Sequence, residues 1–285
     1  MPETLRTSNA QDGAISVQSY TFLQRWIHRE SGIVLDESKG YLLKSRLAPI
    51  VEREALSGFD ELCTKLAQGT PGYSRQVIEA MTTHETLFFR DHAPFEALRT
   101  KILPQLFATL PRGQKLQIWS AAASSGQEVY SIAMLLLEMG VTSHEVSILG
   151  TDLSDKVLTR ARSGIYGNFE VNRGLPPNYL QRYFQPVGNE WRVGDAVRQM
   201  VRFEQMDLRQ NLRNHGPFDV IFCRNVLIYF DQQTKDRVID DLYRSLTRRG
   251  YLFLGAAENV GQHRAFRRVQ FGDAIAYEAD KENVA

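Results

Sequence analysis

With 285 residues, 43% of them hydrophobic and 24% charged, the chain has the composition of a soluble globular protein, long enough for one large domain and one small one. Its 34 basic and 33 acidic side chains leave a formal charge of +1, which excludes a global pull toward nucleic acid or membrane, so any electrostatic partner has to be met by a local patch. Two cysteines outside any C-x-x-C, Cys63 and Cys223, argue for reduced thiols, and no stretch approaches the ~20 apolar residues of a membrane span; a cytoplasmic protein is expected.

Residues 1–14 are polar and without period, which predicts a flexible N-terminus. From residue 15 to about 90 every segment before the linker reads as helix. Ser19 can cap a helix carrying Phe22, Leu23, Trp26 and Ile27 that stops at Gly32; Asp36 or Ser38 can cap a second; Asp60 starts a third, ending before Gly69; Tyr73 to Met81 makes a fourth. On the second helix Lys39, Arg46 and Arg53 fall within an arc of about 40° beside Leu43, Leu47, Ile50 and Val51. Such a stripe is either a solvated face or a docking surface for an acidic helical partner, and Pro49 introduces a kink ahead of Arg53.

The linker motif at 82–91, TTHETLFFRD, has no clean period and sets Thr83, His84 and Thr86 against Phe88, Phe89 and Arg90. A helix from near Asp91 buries Phe95, Leu98, Ile102 and Leu106. The apolar run Lys115 to Trp119, the small-residue turn to Glu128, a helix with Val129, Ile132, Ala133 and Leu136 on one face, and the run Val146 to Gly150 ending at Asp152 form a βαβ unit. Small residues let a nucleoside cofactor approach the backbone, and Asp152 suits ribose hydroxyls; a cap for the next helix is the alternative use of Asp152, although Ser154 serves that end better. There is no G-x-G-x-x-G, and Glu128 sits where a pyrophosphate needs the helix N-terminus free of negative charge, so a cofactor with a ribose and a cationic end fits better than a dinucleotide.

Beyond Asp152, a helix capped by Ser154, an irregular stretch from Ser163, a helix over Tyr179 to Phe184 and a small strand-rich insertion at about 186–200 are predicted. Strands follow at Val201 to Phe203, Phe218 to Cys223 and Tyr251 to Leu254, with a helix ending at Gly250 before the last. Phe266 to Phe271 and Ala274 to Tyr277 meet at the turn Gly272-Asp273. The sum is an α/β fold: a mostly parallel sheet covered on both faces at 91–280, with one antiparallel strand at the end. At the carboxyl end of the fourth strand, Asn225 and Tyr229 can reach cofactor and substrate, or Tyr229 can simply pack in the core. The six histidines lack ligand spacing, and no metal site, nucleophile motif or phosphate loop is present.

The strings TTHETLFFRD, IWSAAASSGQEVYSIAM at 118–134, ARSGIY at 161–166 and FDVIFCRNVLIYFD at 218–231 resemble the chemotaxis receptor methyltransferases, the CheR family, over about residues 15–280. The resemblance implies a Rossmann-like methyltransferase sheet, S-adenosylmethionine as methyl donor with S-adenosylhomocysteine as product, no metal, and glutamate side chains of methyl-accepting chemoreceptors as acceptors. It implies cofactor contacts from His84, Thr86, Arg90, Glu128, Asp152, Asp207, Leu208, Asn225 and Val226, with Asp152 on the ribose and Glu128 on the amino end of the methionine part. Arg90 and Tyr229 would face the reacting centre, and Lys39, Arg46 and Arg53 would meet the receptor's methylation helices. The chain departs from the family at His84, where Asn is common, at Ser125 and Gln127, and at Ala256-Ala257. Pro186 to Gln199 is also short and lacks the Gly-x-Gly of relatives that dock on a receptor's C-terminal pentapeptide. A monomer that docks without the pentapeptide is expected. Of the competing readings, a nicotinamide oxidoreductase lacks its glycines and a nucleic-acid methylase lacks both its strand-tip motif and a basic footprint. A non-catalytic scaffold that binds S-adenosylmethionine is disfavoured by the presence of Arg90 and Tyr229.

Overall fold

The computed structural model describes residues 15–36, 39–210, 212 and 215–281; the expectations for residues 1–14 and for Ser38 as a cap lie outside them. The chain divides into two compact units, the first ending at Thr83 and the second beginning at His84, so most of the 82–91 motif belongs to the second.

The first unit holds four helices. In α1 (Val17–Ser31) the cap is Ser16, not Ser19: Ser16 has the extended backbone a cap needs, its hydroxyl accepts from the Ser19 N–H, and Gly32 ends the helix at φ 74°. The Ser19 hydroxyl turns instead to the Asp60 carboxylate, which the Ser16 hydroxyl also reaches at 3.0 Å. The hydroxyl bonds hold the Asp60 carboxyl below its usual pKa. α2 (Gly40–Arg53) starts after Lys39, which gives it no side-chain cap, and it carries Pro49 inside it; the stretch 37–38, which would join an Asp36 cap to this helix, lies outside the described residues. α3 (Phe59–Ala67) and α4 (Tyr73–Met81) follow. Apolar residues at helical spacing close the bundle, with Leu23, Ile27, Leu43, Leu47, Leu62 and Val77 fully buried.

The second unit opens with α5 (Ala93–Ala97), a π-helical turn (Leu98–Ile102) and α6 (Leu103–Thr109) where one continuous helix was expected. Pro104 explains the irregular turn, because it has no N–H to offer the carbonyl four residues back and its ring crowds that carbonyl. Then come β1 (Leu116–Ala121), α7 (Gln127–Glu138), β2 (Val146–Asp152) and α8 (Asp155–Ser163), the last capped by the Ser154 hydroxyl. A small sheet of β3 (Ile165–Gly167), β4 (Phe184–Val187) and β5 (Glu190–Val193) carries α9 (Asn168–Val171) and α10 (Pro177–Tyr183) within its loops. The insertion is therefore larger than 186–200: it draws a strand from the stretch predicted to be irregular, while 195–198 form α11 (Asp195–Arg198).

The main sheet is completed by β6 (Val201–Gln205), β7 (Phe218–Cys223), α12 (Gln232–Ser245), β8 (Leu246–Leu254), β9 (Phe266–Phe271) and β10 (Ala274–Ala279). Its order is β6-β2-β1-β7-β8-β10-β9, parallel except for β10, which runs antiparallel between β8 and β9. α12 does not reach Gly250. It stops at Ser245 because Leu246 already pairs with Phe218 in the β7–β8 ladder, and long-range pairing overrides helical propensity there. Strand alternation splits the core in two: Ile118, Ile148 and Val220 join one face, Trp119, Leu149 and Ile221 the other.

Candidate functional site

The carboxyl ends of β1, β2, β7 and β8 carry the polar groups. After β1 the chain turns through Ala122 and Ser124 at φ 62° and 51° to Gly126, which precedes α7. Asp152 holds that turn from the tip of β2, its two carboxylate oxygens accepting from the Ser124 N–H at 2.8 Å and the Ser154 N–H at 3.0 Å. These bonds fix the orientation of the Asp152 carboxylate beside the turn. Tyr166, the last residue of the 161–166 string, donates to the Ser125 carbonyl at 2.6 Å. Burial pushes the Tyr166 pKa well up, which keeps this donor protonated.

Glu128, in the first turn of α7, accepts from Ser120 Oγ on one carboxylate oxygen and from Arg224 Nη1 on the other, both at 2.8 Å. Arg224 follows β7 and its side chain is 2% exposed. Its Nη2 reaches Asp91 Oδ2 at 2.6 Å and the Arg90 carbonyl at 3.0 Å. Two carboxylates around one guanidinium leave an excess of one negative charge beside the small-residue turn, which suits a cationic ligand group. Reasoning from sequence sets Arg224 at the tip of the fourth strand but gives it no role, although an arginine closing a strand that is apolar except for Asp219 was a signal for one.

The segment from His84 to Asp91 is gripped along its length. The His84 carbonyl accepts from Ser124 Oγ at 3.0 Å, Glu85 pairs with Arg173 at 3.1 Å, and the Phe89 N–H donates to Ser131 Oγ at 2.9 Å. Phe88 is fully buried against Tyr166 and Phe184. Gly174 lies so close that a Cβ there would stand 2.1 Å from the Phe88 carbonyl oxygen. Arg90, half-buried, donates to the Glu85 carbonyl at 3.2 Å. Phe89, Asp91 and His92 take φ values of 49°, 67° and 35°, a concentration of left-handed backbone in non-glycine residues that shows how tightly the loop is constrained.

Thr86 is half-buried, and among the described residues its hydroxyl has no partner. Asp207 is forked by Arg209, whose Nε and Nη2 reach its carboxylate at 3.0 and 2.6 Å, and Leu208 beside it is buried. Asn225, at φ 60°, precedes the half-buried Val226 and the short 3-10 turn that ends in Tyr229. Tyr229 is half-buried, and its hydroxyl has no partner among the described residues.

In the helical unit the basic stripe is already engaged in part. Arg46 donates to the Met81 carbonyl at 2.5 Å and to Thr83 Oγ1 at 3.0 Å, satisfying a carbonyl that the end of α4 leaves open. Lys39 pairs with Asp36 at 3.2 Å, and Arg53 reaches Gln76 at 2.5 Å. Among the described residues there is no cluster of metal-ligating side chains, and no helix is long and apolar enough to cross a membrane.

Residues 18–82 match the family model described as "CheR methyltransferase, all-alpha domain" and residues 84–275 the one described as "CheR methyltransferase, SAM binding domain". The chain is 41% identical over 262 residues to the chemotaxis protein methyltransferase Cher2 of Pseudomonas putida, covering 89% of this chain and 95% of that one. It is equally 41% identical, over 263 residues, to chemotaxis protein methyltransferase 1 of Pseudomonas aeruginosa, with the same coverage. With the chemotaxis protein methyltransferase of Vibrio parahaemolyticus the identity is 40% over 270 residues, covering 92% and 97%. An acid at the β2 tip, an excess negative charge at the start of α7 and family matches running through both units lead to one conclusion: the chain belongs to the CheR methyltransferase family and is an S-adenosylmethionine-dependent methyltransferase.

Proposed function

We propose that the protein esterifies glutamate side chains on the cytoplasmic helices of methyl-accepting chemoreceptors. S-adenosylmethionine supplies an activated methyl group and leaves as S-adenosylhomocysteine. Asp152, oriented at the tip of β2 by the Ser124 and Ser154 amides, would take the ribose hydroxyls, and Glu128, set by Ser120 and Arg224, would take the ammonium. Thr86, Leu208, Asn225 and Val226 line the remainder of the cofactor, with His84 contributing through its backbone. Asp207, its carboxylate held by Arg209, borders the base. The Arg90 guanidinium would orient the acceptor carboxylate, and Tyr229 would supply a second contact at the reacting centre from its hydroxyl. A glutamate is ionised at neutral pH, so in-line placement suffices and no side chain has to accept a proton.

The observation that carries this reading is the charge balance at Glu128, Arg224 and Asp91, which favours a cationic methyl donor over a nucleotide phosphate. Docking rests on the α2 face bearing Lys39, Arg46 and Arg53. The tight Gly188-Asn189 turn between β4 and β5 supports docking without a receptor C-terminal pentapeptide. We place the enzyme in the cytoplasm as a monomer that needs no metal. The test is transfer of radiolabelled methyl to receptor-enriched membranes. Label that alkali releases as methanol is the expected outcome, whereas alkali-stable label overturns the glutamate assignment.

A further inference from the structure

Glu258 follows β8 and has none of the roles described so far. Its carboxylate gathers three backbone N–H groups: Oε2 accepts from Asn225 at 2.8 Å and from Gly255 at 2.7 Å, and Oε1 accepts from Ile228 at 3.2 Å. Two of these amides belong to the loop after β7. Asn225 there adopts φ 60°, a conformation that a side chain pays for, and Leu227–Tyr229 is a single 3-10 turn, too short to hold itself. Binding the amides of Asn225 and Ile228 to one anion fixes the approach to that turn and its middle residue.

Gly255 makes the approach possible. A Cβ at this position would stand 2.7 Å from Asn225 Nδ2, 2.7 Å from Glu258 Oε2 and 2.9 Å from the Asn225 nitrogen. The loops after β7 and β8 therefore meet backbone against side chain with no room for a methyl group. Ile228 stays 48% exposed, so apolar burial of its side chain is not what anchors the turn.

We infer that Glu258, packed on Gly255, is a positioning residue for methyl transfer: it sets the backbone from which Asn225 and Tyr229 present their side chains. This rests on the proposed roles of those two residues and adds a member that touches neither cofactor nor acceptor. A glutamine at 258 keeps the size but turns an NH₂ donor toward amides that need an acceptor. An alanine at 255 pushes the same contact apart from the other side.

The experiment compares the full chain with Glu258→Gln, Gly255→Ala, Tyr229→Phe and the double variant Glu258→Gln/Tyr229→Phe, each assayed well below its melting midpoint. Both loop variants are expected to lose about tenfold or more in kcat, the scale of effect that small misplacements produce. The double variant should lose less than the product of its two single losses, because a hydroxyl already out of place has little left to contribute. Amide hydrogen exchange at Asn225 and Ile228 should quicken in Glu258→Gln. A folded Glu258→Gln with wild-type kcat, losses that multiply fully, or unchanged exchange at the two amides overturns the inference. Failure of the wild-type protein itself to transfer methyl or bind S-adenosylhomocysteine overturns the proposed function instead, and the exchange measurement still decides the role of Glu258.

Discussion

Arg224 donates to Glu128 at 2.8 Å with side-chain exposures of 2% and 13%, so the acid beside the cofactor turn is half of a buried ion pair and not a lone carboxylate. The same guanidinium bonds the carbonyl of Arg90. The proposed cofactor site and the proposed acceptor site are thus joined through one side chain.

Arg224→Met should therefore cost stability as well as activity. Removing one partner of a buried pair typically costs about 3–5 kcal/mol, and urea unfolding should show a loss of that order. Arg224→Lys keeps the charge but lacks the fork, and should recover stability more than kcat. Wild-type unfolding of Arg224→Met would show that Glu128 does not depend on it.

Asp152→Ala should abolish most of the rise in melting temperature that S-adenosylhomocysteine produces. Hydrogen bonds to charged groups are worth roughly 1.5–3 kcal/mol each, and the ribose would lose its acceptors. The unliganded protein should melt lower too, because the Ser124 and Ser154 amides lose their acceptor. An unchanged S-adenosylhomocysteine dissociation constant would confine Asp152 to holding the turn.

Reversing Lys39 and Arg53 to Glu should raise the KM for receptor and leave cofactor affinity alone, and added salt should weaken the wild type in the same direction. Arg46→Glu is expected to differ: its guanidinium holds the Met81 carbonyl, so the melting temperature falls as well. Methylation of intact receptor that is insensitive to salt would count against the docking surface.

Arg90→Ala should lower kcat by about a hundredfold, the scale expected of roughly 1 Å of misplacement, with little change in cofactor affinity. Tyr229→Phe should be milder. Rate should be level with pH from about 6 upward, clear of the ordinary glutamate value near 4.3. A neutral pKa in the profile that vanishes in His84→Ala would reveal a general base and an acceptor other than carboxylate.

Local signals served well where one segment decides its own fate. Tyr73 to Met81, the Ser154 cap and the Gly272-Asp273 hairpin are cases in which periodicity and turn chemistry suffice. They failed where a distant partner decides. Ile165–Gly167 is a strand only because β5 lies beside it, and Leu246 leaves its helix because Phe218 pairs with it. The site divides the same way. Asp152 and Glu128 stand out from their βαβ unit, but Arg224 and Glu258 act across 96 and 33 residues of chain, beyond the reach of spacing. The engagement of Arg46 with the end of α4 was equally hidden, since an amphipathic pattern shows which face a charge lies on and not whether that charge is already in use.

The antiparallel strand β10 has a consequence for synthesis on the ribosome. The growing chain completes β8 at Leu254, yet the neighbour that covers its outer edge does not emerge until Ala274–Ala279. Until then a parallel array ending in Leu252, Phe253 and Leu254 presents an open, apolar edge, the template on which nascent chains stick to one another. A message cut short after α12 and β8 but before the hairpin would therefore yield a product that keeps every proposed catalytic side chain and accumulates as aggregate.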